Sequence, residues 1–137
     1  MVAMTSNDEQ IWLGVSSAFA EALGLDDDEV TRDAKVIDDL GAESLDFLDI
    51  AFRLERTFDI KIPRGGVEKA AQDAVGDEPY EVEGVLTARG LAALTEAMPE
   101  VPTEEFVQGL KVAEVPLLFR VATFERLVKH LLAEQAG

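Results

Sequence analysis

Apolar residues recur every three or four positions in three long stretches of the chain, a spacing that predicts amphipathic helices. The first stretch follows Ser6 and Glu9, which have the spacing of a helix capping box. It ends at Gly24, which is suited to the left-handed conformation that terminates helices. The pattern therefore predicts a helix that begins after Ser6 and ends before Gly24. Its apolar positions are Ile11, Trp12, Val15, Phe19, Ala22 and Leu23.

The second stretch predicts a helix over Ser44–Phe58. Its polar positions include Asp46, Asp49 and Glu55, and Pro63 marks an extended stop because proline disfavours helix at the residue before it. The spacing assigns the apolar positions to one broad side, made of Leu45, Leu48, Ile50, Ala51, Phe52, Leu54 and Phe58.

The third stretch predicts a last helix that begins at Thr123, a candidate N-cap. Glu125 and Lys129 stand four positions apart, which favours an ion pair on a helix. His130, the single histidine, has no catalytic motif around it, so we expect a surface histidine. The apolar stripe consists of Phe124, Leu127, Val128, Leu131 and Leu132.

The region between the second and last helices contains shorter signals of turns and helices. No internal repeat or low-complexity tract interrupts it. The predicted elements are a short helix over 67–75, a turn over 76–79, a helix capped by Thr87 that runs through Leu91, Leu94 and Met98 to Pro99, a helix start over 102–106, and an apolar segment over 115–119 that packs on the core.

Composition narrows the function classes. The 137 residues, 47% of them apolar, suffice for one domain with a real core. The net charge of −16 repels phosphate backbones and anionic lipids, so it argues against nucleic acid and membrane partners and favours basic proteins. The absence of cysteine excludes disulfides, thiolate metal sites and cysteine nucleophiles, and a single histidine excludes two-histidine metal sites.

Neither a secretory signal nor a metal loop is predicted. Residues 1–6 lack the basic start and apolar stretch of a signal peptide, and no apolar run approaches the length of a membrane span, so we expect a cytoplasmic protein. Residues 26–29 are all acidic, but calcium loops alternate their ligands around a central glycine and close with a glutamate. That pattern is absent, so no metal site is predicted.

Ser44 stands where the acidic loop meets the second helix. The first amides of a helix lack intrahelical acceptors, and helix N-termini attract phosphate. A phosphate attached to Ser44 would face those N–H groups, and the flanking carboxylates would suit a basic enzyme. An ordinary N-cap is the alternative role, since serine is among the preferred caps.

The residues around Ser44 resemble the attachment motif of acyl carrier proteins. The resemblance lies in residues 39–46 (Asp-Leu-Gly-Ala-Glu-Ser-Leu-Asp), followed in register by 54–55 (Leu-Glu), 58–59 (Phe-Asp) and 62–63 (Ile-Pro). The first and last predicted helices also look like those of this family. The shared serine, leucine, glycine and Ile-Pro spacing makes the motif fairly specific.

This resemblance covers roughly residues 5–63 and 117–135. It implies an all-α, four-helix bundle in which extra helical elements, about 64–116, are inserted between the second and last helices. We expect one carrier domain over 1–137.

By the resemblance, Ser44 is esterified with 4′-phosphopantetheine from coenzyme A, whose thiol holds acyl groups as thioesters in fatty-acid, lipid or polyketide-type synthesis. The protein would carry and not catalyse, and the prosthetic group supplies the sulfur that the sequence lacks. In the family the second helix helps line the acyl-chain cavity, which here implies Leu48, Phe52, Leu54 and Phe58. Simple core packing is the alternative role for these four.

The resemblance also implies partners: a phosphopantetheinyl transferase, and acyl-loading and acyl-processing enzymes with basic docking surfaces. We expect a monomer whose partner contacts weaken with salt, because exposed charges are screened. The residues assigned to recognition are Asp39, Glu43, Asp46, Asp49 and Glu55.

Three features depart from the family pattern. Glu43 replaces the usual aspartate before the serine, and Arg53 and Arg56 place positive charge on a helix that is commonly acidic. Between Pro63 and Thr123 lie 59 residues, where the family has a short connection. An enlarged region there can accommodate an unusual acyl group or dock a dedicated enzyme.

Two other functions stay open. An unmodified interaction module with the same fold would bind a basic protein through its acidic face, and the two arginines and Glu43 favour it. A serine hydrolase is the remote alternative, because no G-x-S-x-G elbow surrounds Ser44 and no predicted strand leads into it.

Overall fold

Helices dominate the structure, a computed structural model that describes residues 2–62, 72–73 and 75–136, apart from the side chains of residues 2–7, 44 and 136. This confirms the all-α class predicted from the sequence, with one small hairpin as the exception. The helices of ten residues or more in the described part are α1 (Val2–Leu23), α2 (Ser44–Phe58), α3 (Ala88–Ala97) and α4 (Val121–Ala136).

Contacts divide the chain into two compact units. The first contains Met1–Ile62 and Arg120–Gly137, and the second contains Pro63–Phe119. The boundaries between the units lie at 62/63 and 119/120. That the two units act as one carrier domain stays a prediction.

The first unit packs α1, α2 and α4 around a shared apolar core. The Phe19 and Phe124 rings meet edge to face, with their centroids 5.3 Å apart. The side chains that are fully buried in this unit are Val15, Phe19, Val36, Ile50, Leu54, Val121 and Val128.

Helix α1 begins at Val2, upstream of the predicted capping box, and ends at Leu23 as predicted. The predicted start was too late. Residues 2–5 contain neither glycine nor proline, so they can be helical and the helix begins before Ser6. Gly24 follows with a φ of +70°, which confirms its predicted left-handed conformation.

Helix α2 spans Ser44–Phe58, which confirms both predicted limits. Its end is made by Asp59 in the left-handed region, with a φ of 55°, and by the Ile60 N–H, which donates to the Glu55 carbonyl at 3.1 Å. An aspartate tolerates this conformation better than most residues. Pro63, the predicted stop, lies outside the described residues.

Helix α4 begins at Val121, two residues before the predicted N-cap. Thr123 is therefore inside the first turn, where its buried Oγ1 accepts from the Arg120 N–H at 3.1 Å. The predicted pair between Glu125 and Lys129 is confirmed, with Oε2 and Nζ 3.8 Å apart.

The second unit contains a hairpin that was not predicted. Strands β1 (Glu81–Val82) and β2 (Val85–Leu86) pair antiparallel through a two-residue turn in which Glu83 and Gly84 have φ values of 52° and 81°. Positive φ at both positions is the geometry of a type I′ turn. The glycine between two valines was the signal for it.

Helix α3 follows the hairpin directly. Thr87 is its N-cap, as predicted, and the Thr87 Oγ1 accepts from the Gly90 N–H at 3.0 Å. The predicted helix start over 102–106 forms only a 3₁₀ turn, Thr103–Glu105, and a second 3₁₀ helix spans Val112–Leu118.

This unit has a core of its own, and the apolar segment over 115–119 packs on it, since Val115 and Leu118 are buried. In the short helix predicted over 67–75, only residues 72, 73 and 75 are described, and they are helical. The buried core residues are Val75, Tyr80, Leu86, Ala93, Leu94, Met98, Val101, Leu110, Val115 and Leu118.

Among the described residues, every helix is too short or too polar to cross a membrane.

Candidate functional site

The loop before α2 is anchored by two buried residues and reverses at a glycine. The Ala42 N–H donates to the Val36 carbonyl at 3.1 Å, and the Gly41 N–H donates to the Ile37 carbonyl at 2.9 Å. Val36 and Ala42 are buried, whereas Gly41 is exposed with a φ of +76°, a conformation that glycine adopts without strain. Backbone hydrogen bonds therefore hold both ends of this turn in place.

Asp39 belongs to this turn. Its Oδ2 accepts from the Lys35 N–H at 2.8 Å, and its own N–H donates to the Lys35 carbonyl at 3.0 Å. The carboxylate that was assigned to partner recognition therefore closes the loop upstream of Ser44.

The N-cap position of α2 falls on Glu43, which has extended backbone angles, and Ser44 is the first helical residue. The ordinary N-cap role considered for Ser44 is therefore wrong. Asp46 reaches back, and its Oδ2 accepts from the Glu43 N–H at 2.8 Å. This bond is the reciprocal half of a capping box, and it satisfies the backbone N–H of the N-cap residue.

The surroundings of Ser44 fit a covalently attached phosphate ester. Gly41, Glu43 and Leu45 are all exposed, so the chain on both sides of Ser44 is open to another protein. The first turn of a fifteen-residue helix presents free N–H groups and the positive end of the helix dipole. Both features favour a phosphate at this position.

Helix α2 has an outward apolar stripe, whereas the sequence pattern had placed all of its apolar residues on one broad side. Leu45, Leu48 and Phe52 are 77%, 53% and 60% exposed, and their spacing of three and four residues places them on one face. Ile50 and Leu54 lie on the opposite, buried side. The sequence contained a signal for this exposed stripe, because α2 has more apolar residues than one buried helix face requires.

The four residues assigned to the acyl-chain cavity are consequently not brought together. Leu48 and Phe52 are exposed, Leu54 is fully buried, and Phe58 is half-buried against Gly14. Phe58 also lines an open apolar cavity of about 390 Å³ that Ile11 of α1 and Leu132 and Ala133 of α4 complete, with Gln10 at its edge. The placement of Leu48 and Phe52 thus departs from the prediction because α1 and α4 cover only one side of α2.

Two more of the acidic residues assigned to recognition hold groups of their own unit. The Asp49 Oδ1 lies 2.9 Å from the Arg53 Nε, and Arg53 also pairs with Glu21 of α1 at 2.8 Å. The Glu55 Oε2 accepts from the Ile62 N–H at 2.7 Å. With Asp39 and Asp46, four of the five predicted recognition carboxylates therefore have a structural bond, while Glu43 is exposed.

His130 is exposed on α4, as predicted, and its Nε2 lies 3.2 Å from the Glu134 carboxylate. Within the described ranges, no cluster of three or more histidine or acidic side chains is placed to hold a metal ion.

Comparison with known proteins identifies relatives of the helical core. A family model described as a phosphopantetheine attachment site matches residues 14–65, which include Ser44. The acyl carrier protein of Thermotoga maritima is 44% identical over 78 residues, which are 57% of this chain and 94% of that protein. Those of Akkermansia muciniphila and Guillardia theta are 43% and 38% identical over 63 residues, 46% of this chain and 79% and 78% of theirs. No solved structure shows significant similarity to the chain.

Proposed function

Because this chain belongs to the acyl carrier proteins, we propose that Ser44 bears its prosthetic group and that acyl groups are held there as thioesters. The protein is a carrier and not an enzyme, and its prosthetic group is covalently attached 4′-phosphopantetheine. That group supplies the thiol, since the sequence has no cysteine. The proposed pathway class is fatty-acid, lipid or polyketide-type synthesis, in a cytoplasmic monomer.

One observation carries the assignment: Ser44 is the first residue of α2, directly after an exposed turn with fixed ends. Gly41 allows the reversal, and Asp46 holds the Glu43 N–H at 2.8 Å. These residues position the serine backbone at the start of the helix, where the dipole and the first amides favour an attached phosphate, although the Asp46 N–H itself donates to the Glu43 carbonyl at 2.9 Å.

The surface that supports partner docking combines charge with the outward apolar stripe of Leu45, Leu48 and Phe52. Acyl carrier proteins interact with a phosphopantetheinyl transferase and with enzymes of synthesis. We propose that Glu43 and its neighbouring acids attract a basic surface, and that the stripe supplies the apolar contact. Charge acts mainly on the association rate, so this contact should weaken as salt rises.

Of the four α2 residues predicted to line an acyl-chain cavity, only Leu54 and Phe58 face the interior of the first unit. Leu54 is fully buried and Phe58 lines the open apolar cavity beside α1 and α4. We propose that Leu48 and Phe52 serve docking, whereas Leu54 and Phe58 are the residues of α2 that an enclosed chain can contact.

The test is the intact mass of the protein after incubation with coenzyme A and a broad-specificity phosphopantetheinyl transferase. The parent and a Ser6→Ala control should each gain one phosphopantetheinyl group, and Ser44→Ala should gain none. Loading of Ser44→Ala would place the attachment elsewhere. If neither this transferase nor a dedicated one loads the parent, the chain is an unmodified acidic interaction module, the function that Glu43, Arg53 and Arg56 favour.

A further inference from the structure

Helices α1 and α2 leave between them an open cleft of about 380 Å³, well separated along α2 from Ser44. The cleft is lined by Arg53, Arg56 and Thr57 of α2 and by Leu13, Gly14, Ser17, Ala18 and Glu21 of α1. Arg56 is twelve residues beyond Ser44, about 18 Å along a helix that rises 1.5 Å per residue. The cleft is thus a second feature of α2, distinct from the attachment site.

The two arginines of the cleft differ in whether carboxylates of the same unit are paired with them. The positive charge of Arg53 is paired with two carboxylates. Its Nη1 lies 2.8 Å from the Glu21 carboxylate, and its Nε lies 2.9 Å from that of Asp49. Arg56 is exposed, and within the described part of the chain no carboxylate forms an ion pair with it. A protein with a net charge of −16 therefore presents one uncompensated guanidinium here.

The remaining lining supplies an apolar contact and hydrogen-bond donors. Leu13 of α1 is 58% exposed and supplies apolar surface in the cleft. The hydroxyl groups of Ser17 and Thr57 belong to side chains that line the same cleft and can donate to an anion. Beside the ion pair of Arg53 with Glu21, the lining offers one guanidinium that is unpaired among the described residues, two hydroxyls and one exposed leucine, which match a single carboxylate with an apolar neighbour.

We propose that this cleft receives an aspartate or glutamate side chain of a partner protein, with an adjacent apolar side chain resting on Leu13. A nucleic acid or a polyphosphate is disfavoured because a strongly acidic protein repels several charges more than one. Favourable interaction with the helix dipole accounts for a cation in the last turn of α2, but not for the exposed leucine or the open cleft beside it.

The cleft then acts in partner choice. An enzyme with a uniformly basic docking surface meets the acidic start of α2 well but places a like charge against Arg56. An enzyme whose docking surface places an acidic residue opposite Arg56 binds more tightly. Arg56 therefore selects partners by repulsion of basic residues as well as by attraction of acidic ones. That the partner is an acyl-processing enzyme rests on the proposed function; that the cleft binds a carboxylate does not.

The experiment is an NMR titration of the ¹⁵N-labelled full chain with a capped five-residue peptide that has one glutamate between two leucines. In the parent, the amides of residues 13–21 and 53–57 should shift. A peptide with glutamine in place of glutamate should bind about two- to five-fold more weakly, the range expected for one exposed ion pair.

Variants separate the cleft from general charge. Arg56→Gln and Arg56→Glu should weaken binding of the acidic peptide, whereas Lys61→Glu, which changes the net charge as much as Arg56→Glu and lies just past α2, should bind like the parent. Equal weakening by Arg56→Glu and Lys61→Glu, or shifts confined to the stripe of Leu45, Leu48 and Phe52, would overturn the proposal. Circular dichroism checks folding, and loading of Ser44 in the same variants tests the carrier function separately.

Discussion

The Arg32 guanidinium and the Glu125 carboxylate form a two-point ion pair across 93 residues of sequence, with Nε–Oε1 at 2.9 Å and Nη2–Oε2 at 3.2 Å. The Glu125 side chain is 6% exposed, and the Trp12 ring lies 4.2 Å beneath the guanidinium. Beside this pair, the Ala122 N–H donates to the Arg32 carbonyl at 3.0 Å. These contacts secure α4 to α1 and to the loop after it.

Loss of Arg32 should destabilise the first unit. Arg32→Ala removes the two-point partner of the buried Glu125 and leaves, among the described residues, the Lys129 ammonium at 3.8 Å. We expect the free energy of unfolding to fall by about 2 kcal/mol, less than for a fully enclosed pair because Arg32 is itself half exposed. Urea unfolding measures the loss. The control is Arg89→Ala, which removes an exposed pair with Glu78 and should cost under about 1 kcal/mol. Equal losses would show that burial of Glu125 adds nothing.

The contribution of Arg32 should not vary with pH near neutrality. Its hydrogen bond with Glu125 raises the pKa of Arg32 above its ordinary value. A basic group with a raised folded-state pKa stabilises fully below its unfolded-state pKa, and the effect is lost only as pH rises through the folded value. The difference in unfolding free energy between parent and Arg32→Ala should therefore be constant from about pH 6 to 10, since arginine stays protonated throughout that interval. A steady decline over that interval would contradict the assignment.

Gly90→Ala should destabilise the second unit. A Cβ at Gly90 would collide with the carbonyl oxygen of Tyr80, which also accepts from the Thr87 N–H at 3.0 Å and cannot move freely. We expect a loss of about 2 kcal/mol from this overpacking. Hydrogen exchange of the α3 amides reports it. Gly14→Ala is the comparison, because there the added Cβ meets the Phe58 ring, a side chain that can shift, and alanine favours the helix. Similar losses at both positions would refute the distinction.

Two substitutions at Asp46 separate its structural role from recognition. Asp46→Asn keeps an oxygen that can accept from the Glu43 N–H, whereas Asp46→Ala removes it. We expect Asp46→Ala to cost about 1 kcal/mol and Asp46→Asn markedly less. If the charge attracts the transferase, both variants raise the KM for loading. Unfolding curves and loading kinetics, measured together, distinguish the roles. A parent-like KM for Asp46→Asn would restrict Asp46 to positioning.

Truncation should destabilise the protein on the buried face of α2 and leave its stability nearly unchanged on the exposed face. Leu54→Ala removes a fully buried side chain and should cost about 2–5 kcal/mol. Leu48→Ala removes an exposed one and should change stability by under about 0.5 kcal/mol. If the outward stripe docks the transferase, Leu48→Ala raises the KM for loading all the same. A Leu48→Ala variant that is both stable and normally loaded would remove the stripe from the docking surface.

Local signals predicted most of the helix ends correctly. Gly24 and Thr87 act where expected because a left-handed residue after a helix and a hydroxyl cap before one are properties of a few neighbouring residues. Ser6 and Thr123 were misplaced as caps for a related reason. Several nearby positions could start each helix, and the packed helix extends to the earlier one.

The sequence by itself determined the helical class, the limits of α2 and the position of Ser44 at its start, since spacing and turn chemistry encode these. The tertiary structure decided which apolar residues of α2 are covered. Leu48 and Leu54 are equally apolar, but only the second faces α1 and α4. It also decided the pairing of Arg32 with Glu125. Burial and contacts between distant residues depend on how the helices pack against one another. The helical period shows which residues share a face of a helix, but it does not show what covers that face.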